Sequence, residues 1–379
     1  ADLARREPMG STADFVIPQR LPFSDQPELL VSDQEPSVEH RAITNTLKPS
    51  NELELLVFKG AFVTPTYGVH DQHGRPFLGS NLTRGCQPET KVTFPRGEPN
   101  SIEPPTRIDL SLDAALFINY LQFQNFGHLL TETSSSIYPL LLWSIHQAKA
   151  KHLPILINEP QSSSNAQLDE LRQLFGLSKS QVIRIGGDIQ CVRAKTLFQA
   201  APTHINRRYC STHHSAIVRH LLEKKLNLNS NPTTQAKYQK VYISRTKLKE
   251  RQRQLPEEQQ LIEHLSRAGW IIFHPQEHAI ETQLKTYQTA RDLCCLEGSA
   301  LHLLFGVDCT HPPNVILVCR KRNNNFTRQL EAQTIPHHVL NWLEDNPNCS
   351  KPPARRDVRL KAGKGIDALA DVIEERCTP

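Results

Sequence analysis

The 379-residue chain contains no run of eighteen or more apolar residues, so it offers no candidate for a membrane-spanning helix. Its first residues, ADLARREPMGSTADF, carry no apolar core of the kind that defines a secretory signal peptide. Tandem repeats of solenoid or propeller length and long low-complexity tracts are also missing. These absences exclude helical membrane channels and repeat scaffolds, and they favour ordinary globular domains.

A strong charge of one sign is also missing. The net charge is +5, the isoelectric point is near 8.7, and no long basic helix with interleaved aromatic residues occurs. This balance is too weak for a nucleic-acid-binding protein. It still suits phosphorylated ligands or an anionic membrane surface.

Cysteine usage indicates a reducing compartment. The nine cysteines are an odd number, include the adjacent pair Cys294 and Cys295, and lie partly in apolar, strand-like runs where thiols behave as small hydrophobic groups. We therefore expect a cytoplasmic protein. A lumenal protein with some disulfides stays open as the alternative, because glycosylation sequons begin at Asn81, Asn325 and Asn348.

Length and composition predict two α/β domains with appendages. A chain of 379 residues is longer than one ordinary hydrophobic core. We expect an extended arm over residues 1–45, domains over 46–230 and 231–345, and a basic connector with a terminal helix over 346–379. The connector KPPARRDVRLKAGK either touches anionic lipid at the inner face of a membrane or is simply solvated.

Both domains alternate apolar strands with helical segments, which predicts βαβ units and a mainly parallel sheet. The first domain has strands in LELLVFKGAFVT, AALFINYLQF, LPILINE, QVIRIGG and CVRAKTLFQA, a helix over 128–149, and further helices in NAQLDELRQLFG and STHHSAIVRHLLEKKL. The second has strands in KVYISR, WIIFHP, LCCL and NVILVC, separated by helices in PEEQQLIEHLSRAG, AIETQLKTYQTARD and SALHLLFG.

Polar residues at strand exits are the candidate ligand-binding groups of the second domain, because open α/β sheets bind ligands at the carboxyl ends of their strands. Ser244 and Arg245 end one strand, and a basic loop that includes Arg251 follows. An arginine there can hold a diphosphate with two hydrogen bonds. The alternative is a solvated basic loop. Glu277 follows the strand in WIIFHP, and Gln283 lies on the next helix.

The segment LCCLEGSALHLLFG predicts a buried strand, a tight turn and a helix. Glu297 ends the strand, Gly298 permits close backbone approach, and Ser299 is the expected N-cap whose neighbouring amides face a phosphate. A lone carboxylate between apolar elements needs a partner, and a ligand hydroxyl is one such partner for Glu297. His302 is either a ligand contact or a core histidine whose hydrogen bonds are satisfied.

The stretch QNFGHLLTETSSS supplies the candidate catalytic pair. His128 and Glu132 are four residues apart and share one helical face, with Asn125 one turn earlier. The alternative is a buried structural pair that ties the helix to its own loop. No Asp-x-Asp and no His-Glu-x-x-His motif occurs, so we expect no essential divalent metal and no cofactor.

Taken in order, Asn-Phe-Gly-His, the Ile-Ser-Arg strand, Pro-x-Glu and Glu-Gly-Ser-Ala-Leu-His resemble the motifs of glycosyltransferase family 61 over roughly residues 115–310. The last motif is more similar to bacterial members that act in polysaccharide synthesis. Glu132 stands where the family usually has Asp, Leu303 stands where it often has Asn, and Leu296 stands near its usual Gly.

The resemblance implies two facing Rossmann-like domains of the GT-B type and an inverting transfer from a nucleotide sugar to an oligosaccharide or glycolipid acceptor. In that scheme His128 or Glu132 is the base. Arg245 and the turn at Gly298 and Ser299 hold the diphosphate, while Glu297 and His302 contact ribose or sugar hydroxyls. Two alternatives stay open: a catalytically degenerate transferase fold that binds glycans or assists assembly, and a GT-B-like epimerase or phosphorylase.

Overall fold

The computed structural model describes residues 30–33, 54–65, 68–70, 107–118, 126–137, 153–158, 166–175, 182–200, 203–205, 209–226, 239–248, 254–321, 325–351 and 356–377. The chain divides into two compact units, Ala1–Ile217 and Val218–Pro379. The boundary predicted near residue 230 lies outside the described residues, as does most of the predicted N-terminal arm. The domain limits and the GT-B arrangement therefore stay predictions.

Unit 1 is built on a seven-stranded sheet in the order β1-β2-β7-β4-β5-β6, with β3 paired to β2. The β4–β7, β4–β5, β5–β6 and β1–β2 pairs are parallel, while β2 runs antiparallel to both β7 and β3. A short antiparallel hairpin, β8–β9, follows. The strands are Leu30–Asp33, Glu54–Thr64, Gly68–His70, Leu110–Ile118, Ile155–Asn158, Val182–Ile185, Val192–Ala200, His204–Ile205 and Tyr209–Cys210, numbered β1 to β9.

Burial explains why the central strand β4 forms where it does. Its last five residues, Ala114 to Ile118, are all buried, as expected of a parallel strand covered on both faces. The first part of β7 alternates instead: Val192 and Ala194 are buried, while Arg193 and Lys195 are exposed. This part of β7 lies between β4 and the antiparallel strand β2, so one face of the sheet is open there.

The helices of unit 1 include one irregular helix that carries the candidate pair. We call residues 126–136 the composite helix: an α-helical turn at Phe126–His128, a π-helical turn at Leu129–Thr133 and a 3-10 turn at Ser134–Ser136. The prediction of a regular helix from residue 128 is wrong over this part, and residues 138–149 lie outside the description. Two regular helices follow: α1 at Ala166–Leu174, and α2 at Thr212–Leu226, which begins in unit 1 and continues beyond its limit at Ile217.

Unit 2 has a five-stranded sheet in the order β11-β10-β12-β13-β14, in which every pair is parallel. In chain order this is 2-1-3-4-5, the doubly wound arrangement whose switch point lies between the first and third strands. The strands are Gln239–Ile243, Ile271–Phe273, Ala290–Leu296, Asn314–Val318 and His337–Leu340, numbered β10 to β14. A small antiparallel pair, β15 at Leu343–Asp345 and β16 at Val358–Leu360, completes the strands. The mixed α/β class with parallel sheets is confirmed.

Four α-helices accompany the sheet of unit 2 in the described residues. They are α3 at Glu258–Arg267, α4 at Ile280–Thr289, α5 at Asn325–Ala332 and α6 at Ile366–Glu375. The terminal helix α6 buries Leu369 and Ile373 in the same cluster as Leu261 and Leu265 of α3, which confirms the docked helix that the sequence predicts. No helix in the described part of the chain is long and apolar enough to cross a membrane.

The segment SALHLLFG differs from its prediction. It forms a 3-10 helix, Ser299–Gly306, whose N-cap is Gly298 rather than Ser299 and makes no side-chain capping bond. Six of its eight residues, Leu301 to Gly306, are buried. A 3-10 helix has fewer residues per turn than an α-helix, and here it follows β12 directly after a two-residue turn.

Candidate functional site

The candidate pair of unit 1 is joined by a hydrogen bond. Nδ1 of His128 lies 2.8 Å from Oε2 of Glu132, and the two side chains are only 9% and 11% exposed. The hydroxyl of Thr131 contacts the same carboxylate oxygen. The predicted shared face is therefore real, although the residues between the two belong to a π-helical turn instead of a regular α-helix. Such turns are rare and often mark functional sites.

Electrostatics keep this carboxylate ionised. Burial alone would raise the pKa of Glu132, but the hydrogen bond from His128 and the charge on that ring, with smaller contributions from His204 and Thr131, lower it to about 2. Burial also lowers the pKa of His204 to about 4, despite the opposing charge of Glu132. Glu132 is thus an anion and His204 a neutral ring at neutral pH.

Two buried histidines near this pair were not predicted as site residues. His204 and His214 have ring centroids 5.3 Å apart, and His214 is hydrogen-bonded to the carbonyl of Leu130 within the π turn. They lie in THIN and STHHS, on β8 and at the start of α2. Each lies in a short polar segment, and no sequence motif marks either histidine as a site residue.

In unit 2, the switch point brings Arg245 to the turn after β12. Ser244 and Arg245 follow β10, and Glu297 and Gly298 follow its parallel neighbour β12. The guanidinium Nη1 of Arg245 donates to the backbone carbonyl of Glu297 at 2.5 Å. Burial lowers the pKa of Arg245, and the charges of Glu258 and Glu297 oppose that shift. The structure therefore places these strand-exit residues together, as the sequence predicts.

Gly298 is needed for this approach. A Cβ atom at residue 298 would lie 2.4 Å from Nη1 of Arg245, closer than any real contact of this kind. The backbone at Gly298 is extended, so conformation alone would accept another residue. Steric room for the guanidinium, and not backbone freedom, is what this glycine supplies.

The partner of Glu297 is Arg320, which sequence reasoning missed. Nε of Arg320 is hydrogen-bonded to Oε1 of Glu297, and its Nη1 pairs with Asp345. Arg320 lies just beyond β13, so the strand-exit rule that identifies Arg245 also applies to it. The buried carboxylate is thus compensated without a ligand, and a ligand contact by Glu297 stays a prediction.

Glu258 is a second buried carboxylate that sequence reasoning did not identify. It is 2% exposed, and its Oε1 accepts the backbone N–H of Arg245 at 2.8 Å and the hydroxyl of Tyr242 at 3.2 Å. Burial raises the pKa of Glu258, although Arg245, Tyr242 and Ser244 each oppose that shift. Glu258, in the first turn of α3, therefore fixes the backbone from which the Arg245 side chain extends.

The other predicted residues of this unit lie at the same edge of the sheet, where the strands end. Glu277, on the 3-10 turn Pro275–Glu277, is exposed and pairs with Lys247 at 3.0 Å. That turn is held by Gln283, whose buried amide donates to the carbonyls of Pro275 and His278, both at 2.9 Å.

Ser244 and His302 have structural partners. Ser244 is buried, and its hydroxyl lies 2.9 Å from that of Thr246. Nδ1 of His302 lies 2.8 Å from the side-chain oxygen of Gln329, and its ring stacks on Phe326 at 4.8 Å. This is the hydrogen bond expected if His302 is a core histidine and not a ligand contact. A ligand role for His302 stays a prediction.

Two predicted site residues, Asn125 and Arg251, lie outside the described residues. Among the residues that are described, no group of three or more His, Cys, Asp or Glu side chains is arranged to hold a metal ion. The eight described cysteines are all free thiols.

The described chain is thus a mixed α/β protein, with a buried His–Glu pair in unit 1 and an arginine at the switch point of the doubly wound sheet of unit 2. The family model described as Glycosyltransferase 61 matches residues 126–325, which is more than half of the chain. The chain therefore belongs to glycosyltransferase family 61. No curated protein matches it.

The low pKa of Glu132 predicts an acid-dependent loss of stability. A carboxyl whose pKa falls from its ordinary 4.5 to about 2 on folding stabilises the fold fully above pH 4.5, and this contribution is lost as pH falls toward 2. Glu132→Gln should therefore be less stable than wild type at pH 6, and the difference should shrink by about 1.4 kcal/mol per pH unit below pH 4.5.

Urea unfolding at pH 6, 5, 4 and 3.5 measures this difference. Glu281→Gln, which removes an exposed carboxylate paired with Lys285, is the control and should leave stability nearly unchanged. A Glu132→Gln difference that stayed constant down to pH 3.5 would contradict the shifted pKa.

Proposed function

We propose that the chain is an inverting, metal-independent glycosyltransferase in which His128 is the general base and Glu132 orients it. The proposal rests chiefly on the 2.8 Å hydrogen bond between Nδ1 of His128 and the carboxylate of Glu132. An ionised carboxylate accepts the proton on Nδ1, so the neutral ring carries its basic lone pair on Nε2. The same division of roles operates in catalytic triads.

Basicity favours the histidine over the glutamate. A general base works best when its pKa is near the working pH. A carboxylate whose pKa is held at about 2 is a weak base at neutral pH. Glu132 is better suited to stabilise the imidazolium that forms when His128 accepts a proton. The extra methylene of Glu132, relative to the family's usual Asp, still permits this hydrogen bond.

In the proposed reaction, Nε2 of His128 takes the proton of an acceptor hydroxyl while that oxygen forms a bond to the anomeric carbon of the donor sugar. The bond from the anomeric carbon to the diphosphate oxygen breaks, and the nucleoside diphosphate leaves with the electron pair. The transition state has oxocarbenium character. Attack from the side opposite the leaving group inverts the anomeric centre.

We assign donor binding to the switch point of unit 2. Arg245 supplies a fixed guanidinium, and the first amides of the 3-10 helix after Gly298 supply N–H donors for a diphosphate. Glu297 and His302 are proposed to contact ribose or sugar hydroxyls. The supporting observation is the convergence of Arg245 and Gly298 at the ends of neighbouring parallel strands. Asn125, Ser244, Ser299, Arg251 and Glu277 remain proposed substrate or donor contacts.

The cellular location and the acceptor class are proposed from the family resemblance. We infer a bacterial-type enzyme of the GT-B type that acts in the cytoplasm, with peripheral contact at the inner face of the membrane, on a glycan or glycolipid acceptor. Its product would enter capsule, lipopolysaccharide or another polysaccharide.

Gly298→Ala tests the donor site. The new methyl group displaces the Arg245 guanidinium, so we expect nucleotide affinity to fall by about tenfold or more, and the melting temperature checks that the variant is folded. Calorimetric titration with UDP, GDP, CMP and their sugars first identifies the nucleotide and then compares the variants. Gly365→Ala is the matched control, because a Cβ there meets nothing within 4 Å.

Two outcomes of this titration would count against the assignment. If wild type and Gly298→Ala bind the nucleotide with equal affinity, Arg245 does not bind the diphosphate. No response of wild type to any of these nucleotides would favour a degenerate fold that binds glycans.

The pH dependence of turnover tests the base. If His128 accepts the proton, kcat/KM of wild type should fall on the acid side of its optimum, because a protonated base cannot accept a second proton. His128→Ala should lower kcat by about 10²- to 10⁴-fold, and Glu132→Gln should lose less while still showing an acidic limb. A rate that stays flat down to pH 4, or an equal loss in both variants, would instead make Glu132 the base. His264→Ala, at a partly exposed histidine near Asp367, is the control.

Excess EDTA tests metal independence. We expect transfer, or hydrolysis of the donor, to continue at an unchanged rate after chelation, because a cation and backbone amides can offset the charge of the leaving diphosphate. Activity that EDTA abolishes and Mg²⁺ or Mn²⁺ restores would overturn the proposal.

A further inference from the structure

The π turn that carries Glu132 exposes one backbone carbonyl to an outside donor. The amide of Ser134 donates to the carbonyls of Leu129 and Thr131, and not to Leu130, which would be its α-helical partner. The Leu130 carbonyl instead accepts the hydroxyl of Ser134 at 2.7 Å and Nε2 of His214 at 3.0 Å. The irregular turn is therefore supported by a side chain 84 residues away in the chain.

His214 is held so that it can donate to this carbonyl. Its side chain is 0% exposed, and its Nδ1 lies 2.8 Å from the hydroxyl of Thr203. A carbonyl can only accept, so the proton lies on Nε2, and Nδ1 of the neutral ring accepts from Thr203. Thr203 is anchored in turn, because its carbonyl accepts the amide of Ser211 at 2.8 Å.

Both ring nitrogens of His214 thus have defined partners, which fixes the tautomer and the orientation of the ring. Without His214 the Leu130 carbonyl would keep only the Ser134 hydroxyl as a donor, and a buried polar group that loses one of its hydrogen bonds is destabilised. If the turn relaxed toward regular α-helix, His128 and Glu132 would still share a face, but the angle and distance between their side chains would change. The donor on His214 therefore acts on the geometry of that pair.

We propose that His214 is a positioning residue for glycosyl transfer: its Nε2–H holds the carbonyl of Leu130, and so keeps the π turn in the form that sets Glu132 against His128. This inference rests on the proposed function of that pair. His214 contacts neither substrate nor reacting atoms in this scheme. Its effect on turnover passes through the backbone of the turn.

Two substitutions separate the donor from the rest of the ring. In His214→Gln the amide nitrogen can occupy the position of Nε2 and keep the hydrogen bond to the Leu130 carbonyl. In His214→Asn the shorter amide reaches only the position of Nδ1, so it keeps the hydrogen bond with Thr203 and loses the one to Leu130. We expect His214→Asn to lower kcat by about 10²-fold, the effect of misplacing a catalytic group by about 1 Å. The KM for the nucleotide sugar should change little, and His214→Gln should recover most of the activity.

Hydrogen exchange measured by mass spectrometry supplies a readout independent of activity. Peptides that cover residues 126–137 should exchange faster in His214→Asn than in wild type or His214→Gln, while peptides of unit 2 should be unchanged. His264→Asn is the control and should alter neither exchange in 126–137 nor kcat. If His214→Asn does not fold, Thr203→Val tests the same chain of contacts, with a smaller loss of kcat expected.

Three results would overturn the inference. Equal kcat in the Gln and Asn variants would show that the donor is irrelevant. Faster exchange without a loss of kcat would show a purely structural role, and so would a loss of activity that matched the unfolded fraction. An inactive wild type with faster exchange in His214→Asn would instead reject the proposed function and leave the support of the turn intact.

Discussion

A carboxylate removed from water needs a compensating partner, and this constraint organises both described clusters. Glu132 is held by His128, Glu297 by Arg320, and Glu258 by the hydroxyl of Tyr242 and the backbone of Arg245. Each partner then acquires a defined orientation. The ring of His128 has its tautomer set, and the chain leading to the Arg245 guanidinium is fixed where it leaves the sheet. Groups suited to proton transfer and to anion binding are ordered by the need to compensate buried charge.

The π turn shows how backbone and side chains share this task in unit 1. A regular helix satisfies its own carbonyls, whereas the composite helix relies on Ser134 and His214 for the Leu130 carbonyl. The gain is a compact arrangement in which Glu132 is both buried and ionised. The same dependence connects the pair to a residue 84 positions away in the chain.

In unit 2 the arrangement follows from topology. Parallel strands end at one edge of the sheet, so the residues after β10, β12 and β13 meet there although they are distant in the chain. Apolar runs predict these strands, and the residue after each run identifies Glu297 and Arg245. The same rule applied to NVILVCR would have found Arg320. What it could not show is that Arg320 takes the carboxylate of Glu297, since pairing depends on the distance between neighbouring strands.

The sequence by itself determined the α/β class, the parallel strands, the docked terminal helix and the spacing that lets His128 and Glu132 share a face, because these depend on local periodicity and strand propensity. Only the tertiary structure decided that the pair lies on a π turn, that Gly298 makes room for a guanidinium, and that Glu258 and His214 support the site. These features depend on contacts between segments far apart in the chain, where the burial of one polar group fixes the role of another. Local sequence patterns do not show which distant residues will be partners, so these contacts can be identified only in the folded chain.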